Sequence, residues 1–174
     1  QDKLSNSFNN LCDLLMAKAK LFDPDNKDNV EQLLYDLSIK NSVVVHSLNT
    51  TKASLLTRLK ASRANKNTIY WLNLYFLAQD IHEQATSNYL HYERIQQNFS
   101  RTDLIYRIQK NVRLQAQHCQ KLAESILKRH TFTVHADHST VLAHLESSMH
   151  DWIQQNPHNL EVKNLVLVLR NLKN

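Results

Sequence analysis

Residues Asn29 to Ser62 read NVEQLLYDLSIKNSVVVHSLNTTKASLLTRLKAS, and the fold turns on how that stretch is read. Val30, Leu34, Leu37, Asn41, Val44, Leu48, Thr51 and Leu55 step by alternating threes and fours, the period of one helix face. If the helix broke at Asn49-Thr50, the register would have no reason to persist across the break. The spacing therefore predicts one long helix from about Asn29 to Ser62. The β-branched run Val43 to Val45 opposes it only mildly, through restricted side-chain rotation.

The rest of the chain is organised around that helix. Asp28 to Glu31 resembles a capping box at its head. Upstream, a first helix over Asp2 to Leu21 carries Leu4, Phe8, Leu11, Leu15 and Ala19 on one stripe, and it stops before Phe22-Asp23-Pro24 because a residue preceding proline avoids the helical region. Downstream, Asn65-Lys66-Asn67 makes a turn. A second long helix from Thr68 to about Asn98 has Ile69, Leu72 and Phe76 on one side and Tyr70, Leu74, Leu77 and Ile81 on the other, which predicts two neighbours. Ser100-Arg101-Thr102-Asp103 opens the next helix, with Ile105, Ile108, Val112, Gln115, Cys119, Leu122 and Ile126 as an inter-helix seam and Arg107, Lys110, Lys121 and Lys128 opposite. Past His130, a polar linker leads to a helix near Ser139 to Gln155, with Leu142, Leu145, Met149 and Trp152 inward. Asn156-Pro157 then starts a last helix holding Leu165, Val168, Leu169 and Leu172.

Composition agrees with that pattern. Of 174 residues, 42% are hydrophobic and 21% charged, a globular balance; Gly is absent and Pro occurs twice. Sandwiches, barrels and Gly-loop nucleotide binders lose their turn residues, so the expected fold is all-α: a bundle of five to six mostly antiparallel helices, two of them long, with residues 1–174 forming a single domain. No P-loop, G-x-G-x-x-G turn or G-x-S-x-G elbow is possible without glycine. The charge-free stretch around the aromatic cluster runs only from Asn67 to Gln79, short of a membrane span, and the first residues lack the apolar core of a signal peptide. Cys12 and Cys119 have no C-x-x-C spacing and read as buried thiols in a reducing compartment. The start at Gln1-Asp2-Lys3-Leu4 and the stop within a Leu-rich run read as the ends of a piece cut from a longer protein.

Candidate chemistry is sparse. Among the ten histidines, His130, His135 and His138 with Asp137 suggest a metal site, but no thiolate lies near in sequence and the segment is not regular helix, so no metal or other cofactor is expected. His82-Glu83 lacks the H-E-x-x-H continuation, since Ala85 and Thr86 follow Gln84. Gln79-Asp80-Ile81-His82-Glu83 is instead a polar cluster set in the most apolar helix. If Asp80 and Glu83 meet a neighbouring helix, they need a cation such as Arg107 or Arg113, or hydrogen bonds from Gln109 or Gln115. The expected site is thus a structural polar network of Gln79, Asp80, His82, Glu83, Arg107, Gln109 and Gln115, with no catalytic residues. An enzyme using Asp80, His82 and Glu83 would need an open pocket around them. The net charge of +5 is spread along the chain; its densest run, Arg58, Lys60, Arg63 and Lys66, lies at a helix end, where cations complement the dipole. Tyr70, Trp71, Tyr75 and Phe76 are core or partner contacts rather than a base-stacking platform, and nucleic acid is a disfavoured partner.

Leu77-Ala78-Gln79-Asp80-Ile81-His82-Glu83-Gln84-Ala85 resembles the YccS/YhfK-type inner-membrane proteins of Gram-negative bacteria, relatives of the fusaric-acid-resistance and aromatic-acid exporters. Asp103-Leu104-Ile105-Tyr106-Arg107-Ile108-Gln109, with Gln115, Cys119, Leu122-Ala123 and Ile126-Leu127, is similar to the family's next segment. Leu4-Ser5-Asn6 through Leu14-Leu15, with Lys20-Leu21-Phe22-Asp23-Pro24, is similar to its upstream part, so the resemblance covers the whole chain. It implies a helical domain between two membrane regions on the cytoplasmic face of the inner membrane, in a protein of transport or efflux. Such a domain would be non-catalytic and act in assembly or regulation. Its partners would be the membrane regions of the same chain, other copies in a homo-oligomer, and an anionic lipid surface that the basic charge suits. The alternative from another class is a stand-alone helical adaptor or nucleic-acid-binding regulator, for which the positive charge and the two-striped helix speak.

Overall fold

The computed structural model describes residues 2–61, 66–86, 98 and 102–128. Among them are four α-helices and no strand: α1 Asp2–Leu21, α2 Val30–Ala61, α3 Lys66–Thr86 and α4 Asp103–Lys128, with a 3₁₀ helix Pro24–Asn29 between the first two. The expected helices near Ser139 to Gln155 and around Leu165 to Leu172 lie outside the described residues. So do the histidines of the polar linker, Arg63, and most of the stretch between Thr86 and Asn98.

The long second helix forms within one residue of its expected bounds, and its buried residues Leu37, Val44, Leu48, Thr51 and Leu55 all belong to the stripe read from sequence. Its head differs. The cap is made upstream of Asp28, where the Asp23 carboxylate accepts from the Asp25 amide at 3.0 Å and Pro24 occupies the first helical position. Phe22 N donates to Ala19 O at 3.1 Å and the Asn26 side-chain amide to Lys20 O at 3.2 Å. A tight i−3 bond and an asparagine side chain thus satisfy the last carbonyls of α1, a job that glycine does in many proteins.

α1 is the centre of the packing. It lies most extensively against α4, then α2, with a smaller contact to α3. Leu4, Phe8, Leu11, Leu15 and Ala19 are buried as the stripe predicts, and Ser5, Ser7, Leu14, Lys18 and Leu21 extend the buried arc around more than half of the helix. Directions follow from side-chain contacts. Ser5 Oγ donates to Ala123 O at 2.9 Å, so the start of α1 meets the end of α4. Ser7 Oγ lies 2.8 Å from Ser47 Oγ and 2.9 Å from Thr51 Oγ1, in the second half of α2. Both pairs are therefore antiparallel. On α4 the buried small residues Ala116, Cys119 and Ala123 let the α1 backbone come close enough for a serine hydroxyl to span the gap.

α3 departs from its expected stripes. Thr68, Tyr75, Ala78 and Ala85 are buried, whereas Ile69, Tyr70, Phe76 and Leu77 are exposed. Leu72, Leu74 and Ile81 of the expected stripes are half-buried against the core, while the small residues at 78 and 85 allow α3 to approach α1 and α2 and turn the other four stripe residues outward.

Candidate functional site

Two polar side chains tie the end of α3 to the rest of the protein. Lys18 is 1% exposed, and its Nζ donates to the Ala85 carbonyl at 2.7 Å, so α1 and α3 run in the same direction. Burial lowers its pKa from 10.5 to about 7, because taking an ammonium out of water penalises the charged form. One turn earlier on α3, His82 Nε2 lies 2.6 Å from Asn41 Oδ1 of α2. The amide oxygen can only accept, so the neutral ring carries its proton on Nε2. Burial lowers the pKa of His82, and the carboxylate of Glu83 beside it works in the opposite direction. Three helices are thereby clamped together at one level of the bundle.

The residues expected from sequence to form one network are divided between two places. His82 makes an inter-helix contact, but with Asn41. Gln79 is half-buried on α3, while Asp80 and Glu83 are exposed, so the expected burial of their carboxylates against a neighbouring helix does not occur. Arg107 does not reach them: its Nε donates to Asp103 Oδ2 on its own helix at 2.8 Å. α4, which carries Arg107, Gln109 and Gln115, packs principally on α1, whereas α3 packs on α2 and α1. Gln109 is buried, with its Nε2 lacking a hydrogen-bond partner among the described residues, and Gln115 is half-buried. Sequence reasoning missed Lys18, although the register Leu11, Leu15, Lys18, Phe22 ran straight through it. Asn41 and Thr51 were on the predicted stripe as positions, without a role.

What this arrangement can do chemically is limited. Lys18 is sealed by packing. The Cys119 thiol is pushed up to about 12 by burial and, second, by nearby Cys12, and Cys12 is raised by burial and then by Asp13, so neither is an activated nucleophile. No group of three or more His, Cys, Asp or Glu that could hold a metal occurs among the described residues. No described helix is long and apolar enough to cross a membrane.

Comparison with known proteins places the chain. A family model described as "FUSC-like inner membrane protein yccS" matches residues 1–174. The inner membrane protein YccS of Escherichia coli K12 is 34% identical over 173 residues, which cover 99% of this chain and 24% of that protein. A Haemophilus influenzae Rd protein described only as uncharacterized is 35% identical over 126 residues, 72% of this chain and 18% of its own length. The chain thus spans about a quarter or less of these relatives. No solved structure matches.

Proposed function

The chain belongs to the FUSC-like family of inner membrane proteins, and from that premise we propose that it is a non-catalytic cytoplasmic helical domain of an inner-membrane transporter or efflux protein, serving its assembly or regulation. One observation carries the reading. The E. coli relative is an inner membrane protein of which this chain matches 24%, and the matching part contains no described helix able to cross a bilayer. The bilayer-crossing work then falls to the other three quarters of such a protein, and this part stands beside the membrane. A net charge of +5 suits a position under an anionic inner leaflet, where each nearby cation gains about 1 kcal/mol. A structural role is supported by how the polar groups are used. Lys18 and His82 hold helices together, and both thiols are kept protonated.

The test is the sidedness of an exposed position in the native gene product. Thr57, exposed on α2, is replaced by cysteine and probed with a membrane-impermeant maleimide. Labelling above the parent level in inverted vesicles, and its absence in intact spheroplasts, is expected. Labelling in intact spheroplasts would overturn the cytoplasmic placement.

A further inference from the structure

We propose that the outward face of α3, centred on Tyr70, Asn73, Phe76 and Leu77, is the surface through which a second copy of this chain binds, the two α3 helices pairing antiparallel about a two-fold axis. This deepens the assembly reading above and rests on it, although it does not depend on which side of the membrane the chain occupies. The starting observation is exposure where the sequence is most apolar. Ile69 is 47% exposed, Tyr70 53%, Phe76 50% and Leu77 41%. At roughly 150–250 Å² per large side chain, these four present on the order of 400 Å² of surface, as much as the largest apolar patch on an ordinary monomer. A standard interface takes about 800 Å² from each partner, so a patch of this size forms its centre and the polar residues around it form the rim.

Charge decides what covers the patch. From position 67 to 86 the only carboxylates or fixed cations of α3 are Asp80 and Glu83, and both are exposed. Lys66 is the first residue of the helix, and the helical period puts positions 66, 73 and 80 on one face. The face therefore reads basic at its start, apolar through its middle and acidic towards its end. Such a surface is complementary to itself when one copy is reversed. With the axis near position 73, position 66 of one copy meets position 80 of the other, and position 70 meets position 76. A parallel pairing would stack like charges. An anionic bilayer would meet Asp80 and Glu83 directly beside the apolar residues, which costs rather than gains free energy. An isologous contact of this kind closes on itself and yields a dimer rather than an open filament.

The experiment is cross-linking in intact cells expressing the native gene product, with a short membrane-permeant bismaleimide. Asn73→Cys, next to the axis, is expected to give a cross-linked dimer well above the parent, which carries only Cys12 and Cys119. Thr57→Cys, on α2, is expected to stay at the parent level. Adding Asp80→Lys should lower the Asn73→Cys yield roughly tenfold by setting like charges together. Adding Lys66→Glu to Asp80→Lys should restore it, because the two substitutions exchange the signs on both sides. Recovery by the double exchange also shows that the single variant is folded. The proposal is overturned if Asn73→Cys gives no dimer above the parent, if Thr57→Cys cross-links equally well, or if Asp80→Lys leaves the yield unchanged. It is also overturned if the double exchange fails to recover the yield. The maleimide sidedness assay reports on the cytoplasmic placement separately, so either idea can fail while the other stands.

Discussion

Lys18 is the residue whose setting has the largest consequence for stability. In the unfolded chain it binds a proton up to its ordinary pKa of 10.5, whereas in the folded protein burial lowers that to about 7. Between these values the unfolded state holds the extra proton, so stability rises with pH across the window, and below about 7 the full penalty is present and constant. Read between pH 7 and 8, below ordinary thiol ionisation at about 8.5, urea unfolding should show a gain of about 1 kcal/mol. Lys18→Met should flatten that rise and be more stable at pH 7; an unchanged pH profile would show that the ammonium is not desolvated. His82 acts in the same sense at lower pH. Its folded pKa is lowered, chiefly by burial, so the stability it contributes is present above its ordinary 6.5 and is lost as pH falls below that value. His82→Gln should blunt the acid-side loss in the same titration. Asn111, buried with both side-chain amide atoms lacking a partner among the described residues, pays the desolvation cost with no hydrogen bond in return. Asn111→Leu should raise the unfolding midpoint by the equivalent of about 1 kcal/mol, and a fall would mean that the amide is satisfied in solution. None of these three settings was legible in the sequence, because a polar residue on an apolar stripe can be buried, snorkelling or solvated, and only packing decides among them.

At the scale of the helices, legibility tracked how asymmetric each one is. α4 has one strongly apolar side, and five of the seven residues expected on its seam are buried, with Gln115 and Leu122 at the seam's half-buried margin. α1 and α2 were bounded almost to the residue, because Pro24 fixes the corner between them and the stripe of α2 never loses register. α3 is apolar on more than one side, so its sequence offers several candidate faces, and the expected stripes were right only at Leu72, Leu74 and Ile81; Tyr75, Ala78 and Ala85 define the centre of the contact. The same uncertainty of face explains why the expected Asp80 and Glu83 partners on α4 were misplaced. Energetics should reflect these roles. Phe8, fully buried between α1 and its neighbours, should cost about 3–5 kcal/mol when changed to Ala, whereas Phe76→Ala, half-exposed on α3, should cost under about 1 kcal/mol in the unassembled chain. Chemical unfolding of the two variants measures both values. Similar losses from the two would mean that α3 is covered by other parts of the chain.

For the whole molecule, fold and family are joined by what each leaves unexplained. The bundle holds itself together with an apolar core centred on α1 and a few inter-helix hydrogen bonds, and burial raises the pKa of both its thiols. Its relatives are several times longer, and E. coli YccS is an inner membrane protein. The basic balance and the exposed apolar face of α3, with charged residues towards its ends, are the features on which the proposed pairing of copies rests. The most direct measurement of that claim is the mass of the detergent-solubilised native gene product by light scattering, taken for the parent and for Leu77→Lys on the outward face of α3. The account predicts a multiple of the single-chain mass for the parent and a smaller multiple for the variant. A parent that is strictly monomeric, or a variant with the same mass as an oligomeric parent, would contradict it.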